Sequence, residues 1–287
     1  MRPIVRAASR LPYIREYRGR LQQLTERCDA LTHQRDTLEA ERDQLAAHCR
    51  KLRQELENAL RQSVSAQDYV LRKMRADWDD RARVDAAYYT NSANPRWTDA
   101  DYFATGEANV REQIETDMIN ICQGDDPKRM RVLEIGCGAG RMTKALARLF
   151  GEVHAVDISA EMIRIAKQNL AGVPNAFFYQ NNGADLQVLP SEPFDFAFSY
   201  IVFQHIPSAE VIESYIREVA RLLKPGRLFK FQVQGYRPEE IKPADTWLGA
   251  DFTVDDMGAI ASRCGFEMRY STGAGTQYLW LWFFRNS

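Results

Sequence analysis

The sequence has no run of about 18 apolar residues, so nothing in it reads as a membrane-spanning helix. It also has no C-x-x-C pair. Cys28, Cys49, Cys122, Cys137 and Cys264 stand far apart, and with four scattered histidines they signal neither a metal site nor a disulfide framework. That usage fits a reducing, cytoplasmic setting. A net charge of -1 gives no global reason to expect a nucleic-acid partner. The balance is uneven along the chain, however: residues 1–75 hold 16 Lys/Arg against 10 Asp/Glu, and the remainder is acidic. Residues 1–13 carry no acid and lack the apolar core of a secretory signal. They read as a solvated basic tail, with a transit peptide or peripheral contact with an anionic membrane surface as alternatives.

What is present begins with a seven-residue apolar repeat over residues 14–62. Ile14, Leu21, Cys28, Arg35, Arg42, Cys49 and Leu56 form one column, and Tyr17, Leu24, Leu31, Leu38, Leu45 and Leu52 the other. A strict heptad keeps one seam toward a partner helix, so the segment is expected to be a coiled coil that makes the protein a homo-oligomer. A solitary charged helix is the alternative. Residues 63–125 read as a helical cap and linker: Tyr69, Val70, Met74 and Trp78 recur at helical spacing, Asn91–Pro95 is a turn, and helix resumes over Asp99–Ile121.

Residues 126–287 alternate short apolar strands with amphipathic helices, the pattern of a parallel sheet covered on both faces. Strands are expected at Arg131–Ile135, Val153–Val156, Ala176–Gln180, Phe194–Tyr200, Arg227–Gln234, Phe266–Ser271 and Thr276–Phe284. Lys224-Pro225-Gly226 is read as the stop of the preceding helix.

The first strand ends in Glu134-Ile135-Gly136-Cys137-Gly138-Ala139-Gly140-Arg141. Glycines there permit positive φ and close approach of a ligand to the backbone, and a helix start favours negative charge. A dinucleotide fold needs its third glycine where Arg141 stands, which disfavours a dehydrogenase. The second strand ends in Asp157, an acid placed to accept from both hydroxyls of a ribose.

On these residues the chain resembles the class I S-adenosylmethionine-dependent methyltransferases, in particular the group with type 11-like catalytic domains. His154–Ser159, Asn181–Leu186, Phe194–Tyr200 and Leu222–Leu228 look like the further motifs, in order. The resemblance implies a Rossmann-like α/β fold, with seven strands in the order 3-2-1-4-5-7-6 and the last antiparallel, here preceded by the long coiled-coil helix. It implies S-adenosyl-L-methionine as cofactor. Glu134, Gly136, Cys137, Gly138 and Gly140 would form the first cofactor motif, Asp157 would hold the ribose, and Ile158 would touch adenine. Asn182, Gly183, Ala184 and Asp185 would face the adenine edge, with Asn182 and Asp185 both open as readers of the amine. Tyr200 and Tyr89, the latter in a cap segment, complete the set.

The expected activity is methyl transfer to oxygen of a sugar, a glycan end or another small molecule, the glycan resting on analogy with coiled-coil methyltransferases of polysaccharide systems. A non-catalytic scaffold whose coiled coil recruits partners is the alternative. His205 follows the fourth strand and is the expected general base, since an imidazole of ordinary pKa near 6.5 accepts a proton at neutral pH.

Overall fold

The computed structural model describes residues 12–63, 66–236 and 246–287. The basic tail expected at residues 1–13 lies outside them up to Leu11, as do the side chains of Ile14 and Leu56 at the ends of one heptad column. The chain divides into two compact units, Met1–Val64 and Ser65–Ser287.

In the first unit, α1 (Pro12–Ser63) is one helix of 52 residues. Its start suits proline, whose missing N–H is not needed in the first turn, and Gly19 is the only helix-weakening residue that follows. Pairs such as Glu16–Arg20 and Lys51–Glu55 add the small support of one-turn spacing. Tyr17, Leu21, Leu24, Leu31, Leu38, Leu45 and Leu52 are all at least half exposed. Among the described residues, the repeat is therefore a helix whose leucine column is unburied.

The second unit opens with α2 (Ala66–Thr90), kinked at Asp85, whose extended backbone (φ -166°) breaks the helix. The Asp85 carboxylate accepts from Tyr88 N at 2.9 Å and caps the short piece beyond the kink. Thr98 caps α3 (Asp99–Gln113) in the same way. The continuous helix expected over Asp99–Ile121 does not form. Backbone helicity breaks at Ile114, a 3₁₀ turn covers Glu115–Asp117, and α4 (Met118–Cys122) follows. Tertiary contacts account for the break: Asp117 accepts from Lys230 Nζ at 2.9 Å and from Trp282 Nε1 at 2.6 Å, ties that a continuing helix would have to give up.

The strands are β1 (Arg131–Ile135), β2 (Glu152–Asp157), β3 (Ala176–Gln180), β4 (Phe194–Ser199), β5 (Leu223–Val233), β6 (Phe266–Thr272) and β7 (Leu279–Arg285). They form one sheet in the expected order, β3-β2-β1-β4-β5-β7-β6, with β7 antiparallel to both β5 and β6. Between them lie α5 (Thr143–Leu149), α6 (Ala160–Asn169), α7 (Ala209–Leu222) and α8 (Val254–Arg263). Side chains alternate between two cores: Leu133, Ile135 and Ala197 enter one with Val211, Tyr215 and Ile260, while Val132, Phe196 and Phe198 enter the other with Leu146. Each fully buried aliphatic or aromatic side chain contributes roughly 1.5–3 kcal/mol of transfer free energy, so the buried middle of the sheet is a stiff platform.

The segment read as a helix stop belongs to β5 instead. Leu223 already pairs with Phe194, and a register shift before Phe196↔Leu228 accommodates Pro225 and the left-handed Gly226 (φ 76°). All five parallel strands point their carboxyl ends to one edge, where the topology reverses beside β1 and β4. A ligand crevice belongs at that edge.

Candidate active site

The turn after β1 is held down first. Gly136 N and Cys137 N both donate to Val156 O, at 2.8 and 3.1 Å, which ties the loop to the end of β2. Gly136 has φ 77°, and a Cβ there would fall 2.2 Å from Val202 Cγ2, so only glycine fits. Gly138, also left-handed, turns its N–H onto Asp157 Oδ2 at 2.9 Å, while Ser159 N donates to Asp157 Oδ1 at 2.9 Å. The carboxylate thus accepts a backbone bond on each oxygen and retains lone-pair capacity for a further donor. Burial nevertheless raises its pKa to about 6 against backbone hydrogen bonds from Ser159, Gly138 and Ile158, and neighbouring Asp79 adds to the rise. Asp79 in turn accepts from Ser159 Oγ at 2.6 Å and Glu161 N at 3.1 Å, fixing α2 over the β2 end.

Glu134 is 4% exposed and accepts from Thr143 Oγ1 at 2.6 Å. Burial lifts its carboxyl to about pKa 7, with the Thr143 bond and Arg141 working against it. Arg141 is itself buried, donating to Asn109 Oδ1 at 2.5 Å and Thr105 Oγ1 at 3.1 Å, and burial holds its pKa below the usual guanidinium value.

These groups line one cavity at the carboxyl edge of the sheet, where Glu134, Gly136, Cys137, Gly138, Asp157, Ile158, Tyr200, Tyr89 and His205 all meet as expected from the sequence. Gly140, Asn182, Gly183, Ala184 and Asp185 are not among its walls. A local reason keeps the Asn182 turn out of those walls. The Asn182 side chain closes its own loop, accepting from Ala184 N (2.8 Å) and Asp185 N (2.9 Å) and donating to Asp185 Oδ2 (2.7 Å). Gly183 packs on Ile158 instead. Asn181 does line the cavity: its Nδ2 donates to Tyr215 Oη at 2.7 Å, and its buried Oδ1 has no partner.

The opposite wall follows β4. Ile201 takes φ 54°, a left-handed backbone that a β-branched residue adopts only under constraint, and it swings the chain so that Val202 underlies Gly136. His205 is 8% exposed, with its Nδ1 2.5 Å from Trp247 O. A carbonyl cannot donate, so His205 Nδ1–H does, and Nε2 is the accepting nitrogen. Gln204 Nε2 stands 3.5 Å from that nitrogen. The Trp78 ring meets His205 edge-on at 5.3 Å, and Trp247 lies 5.3 Å from His205 and stacks on Trp78 at 6.5 Å. Arg81 is set over both tryptophans, 4.6 and 5.3 Å from their rings, and donates to Thr246 Oγ1 and O.

Arg141, Ile201 and Trp247 had no site role in the sequence reading, and Asn181 entered it only as the first residue of the Asn181–Leu186 motif. Arg141 could have been found, because a cation directly after the last glycine of such a loop suits a ligand with a carboxylate. Trp247 could not, since its place depends on contacts across 42 positions.

A family model described as a methyltransferase domain matches residues 132–226. Among curated proteins, the Ubiquinone biosynthesis O-methyltransferase of Xanthomonas oryzae pv. oryzae is 33% identical over 97 residues, 33% of this chain and 39% of that protein. The same-named protein of Xanthomonas axonopodis pv. citri is 31% identical over 102 residues, 35% of this chain and 41% of its own. The chain thus spans about two fifths of the length of these relatives. Among solved structures, magnesium protoporphyrin IX methyltransferase from Synechocystis with bound SAH superposes with a TM-score of 0.53 at 19% identity, over 74% of this chain and 97% of that one. A DhpI–SAH complex does so with a TM-score of 0.51 at 18% identity, over 76% and 97%. By sequence over residues 132–226 and by the order of all seven strands, this chain carries a methyltransferase domain on the class I S-adenosylmethionine-dependent methyltransferase fold.

Proposed function

We propose that the protein is an S-adenosylmethionine-dependent methyltransferase that acts on an oxygen of a small-molecule or glycan acceptor. The observation that carries the reading is the set of polar groups gathered in one cavity: buried Glu134, buried Arg141, and Asp157 with acceptor capacity for a further donor. The cofactor, when bound, supplies a methyl group on a sulfonium, and it presents an ammonium, a carboxylate, a ribose diol and an adenine amine. The residues fit those four features in turn. Glu134 is the anion for the ammonium, Arg141 the cation for the carboxylate, Asp157 the acceptor for the diol, and the orphaned Asn181 Oδ1 the acceptor for the amine. Ile158 provides an apolar surface beside the last of these.

The oxygen acceptor is supported by His205, whose Nδ1–H is committed to Trp247 O and whose Nε2 is thereby the proton-accepting atom on the cavity wall. The name of the curated relatives, O-methyltransferases, points the same way. Positioning does the rest: Trp78, Met74 and Ile206 make that wall largely apolar, which excludes water from a hydroxyl approaching along it.

Calorimetry with S-adenosylmethionine and its demethylated product tests the cofactor, and mass spectrometry of labelled-methyl transfer in host extracts tests the acceptor. Tighter binding of a nicotinamide dinucleotide overturns the first part; a label found only on nitrogen, carbon or sulfur overturns the second.

A further inference from the structure

The leucine column of α1 is an apolar stripe left exposed along the helix, and its pattern favours one partner in one orientation. We infer that α1 pairs with α1 of a second copy of this chain as an antiparallel coiled coil, with the two-fold axis between Asp36 and Thr37.

The argument is about layers. In a parallel, in-register pair each seam residue meets itself, so the column Leu24, Leu31, Leu38, Leu45, Leu52 would form leucine layers, and the other column would stack Arg35 on Arg35 and Arg42 on Arg42. Two successive like-charge layers at the middle of the seam oppose that arrangement. Running the second helix in the opposite direction places each residue of one column against the other column. The layers then become Leu21 with Leu52, Cys28 with Leu45, Arg35 with Leu38, Arg42 with Leu31, and Cys49 with Leu24 of the copy. Every described layer receives one leucine, and no arginine faces its own counterpart.

Three further observations agree. First, the axis that produces these layers falls within one residue of the midpoint of the 52-residue helix, so the whole length pairs without overhang. Second, a groove on the helix surface is centred on that axis: Leu31 and Leu38 flank the aliphatic stems of Arg35 and Arg42, with Gln34 and Glu39 at its rims. The two-fold lays Leu38 of the copy on the Arg35 stem, the self-complementary contact that an isologous dimer requires. Third, the same operation brings Glu39 of the copy level with Arg35 on the same side of the seam. Arg35 already holds Asp36 of its own helix at 2.6 Å, so its guanidinium lies between two acids and not beside another cation.

This inference is independent of the methyl-transfer reading, and its test uses no activity. Cys28 and Cys49 lie in the seam itself while Cys122, Cys137 and Cys264 are buried, so the labels go on the outer face of the helix in a full-length Cys28→Ala, Cys49→Ala protein. Two variants in that background, Glu26→Cys and Gln54→Cys, each carry one exposed label per chain away from the seam. At 1.5 Å per residue the antiparallel register separates the two copies of position 26 by about 31 Å and of position 54 by about 52 Å along the axis. A parallel register holds both pairs level, at about 20 Å across the two helices. Pulsed electron resonance should give the two long, unequal distances, and light scattering should give the mass of a dimer. Two short distances overturn the orientation; a monomeric mass at micromolar concentration overturns the pairing itself.

Discussion

The two walls of the cavity are built from different materials. Along β1 and β2 the wall is made of backbone amides and buried charge: Gly136, Gly138, Glu134, Asp157 and Arg141, all within 24 positions of one another. Across from it the wall is aromatic and comes from distant segments, with Trp78 on α2 and His205 after β4, backed by Trp247, which meets His205, Trp78, Tyr89 and Arg81. The first wall can bind a ligand of fixed chemistry by itself, since its dipoles are set by strand ends that cannot move independently. The second can change shape with few consequences for the first. A wall of consecutive residues suits an invariant cofactor, and a wall assembled from separate segments suits an acceptor that differs between related proteins.

The sharpest way to break that division is His205→Asn. Proton acceptance contributes about 100-fold to 10,000-fold in rate, so turnover should fall by at least that lower bound while cofactor affinity stays within about twofold. Calorimetry and a methyl-transfer assay on one preparation separate these readouts. A parallel loss of affinity shows that the two walls are not independent and that His205 only packs. The converse substitution, Asp157→Ala, removes a charged acceptor from the other wall and should weaken S-adenosylmethionine by about tenfold to hundredfold. Unchanged affinity removes Asp157 from the site.

How much could be read in advance follows the same division. The bounds of β1, β3 and α6 were legible, because strand and helix periods there agree with local turn chemistry, whereas the sheet order came from the family resemblance alone. Glu134 and Asp157 were legible because a strand–turn–helix carries its function in consecutive residues. The start of β5 was not: Pro225 and Gly226 look like a stop, and only pairing of Leu223 with Phe194 makes them a bulge. Ile201 was hidden because its strain depends on Val202 being drawn under Gly136, and Trp247 because nothing local marks it. The turn at Asn182 stays off the cavity walls for a physical reason that sequence alone does not weigh: an Asn two or three residues before free amides caps its own loop.

A smaller effect sharpens the charged wall by pH. Burial holds the Glu134 carboxyl at about pKa 7, well above its ordinary value of 4.5. A carboxylate raised on folding favours the folded state below its unfolded pKa and loses that contribution as pH rises through the folded one. The ligand-free protein should therefore lose stability between about pH 4.5 and 7, and Asp157 adds to the loss between its ordinary 3.8 and about 6. Cofactor binding runs the other way, because the ammonium needs the ionised glutamate. Affinity at pH 6 should be about tenfold below that at pH 8, and Glu134→Gln should flatten the dependence while lowering affinity throughout. Calorimetry across that range checks it. A slope that survives in Glu134→Gln reassigns the titration to another group.

The smallest expected effect lies at Asn181, which follows β3 and also lines the cavity. Its Nδ2 is engaged by Tyr215 and its Oδ1 is buried without a partner, a state that costs the ligand-free protein roughly 1–3 kcal/mol and that a donor in the cavity would relieve. An adenine amine is such a donor. Asn181→Ala removes both the unsatisfied acceptor and the bond to Tyr215, so stability should change little in sum while affinity falls about twofold to tenfold, the worth of one neutral hydrogen bond. A ligand lacking the amine separates the cases. S-inosylmethionine presents an oxygen at that position, so it should bind the native protein worse than S-adenosylmethionine and the Asn181→Ala protein about equally with it. If the alanine variant discriminates between the two as strongly as the native chain does, the amine is read elsewhere, and the Asn182–Asp185 turn must open to read it.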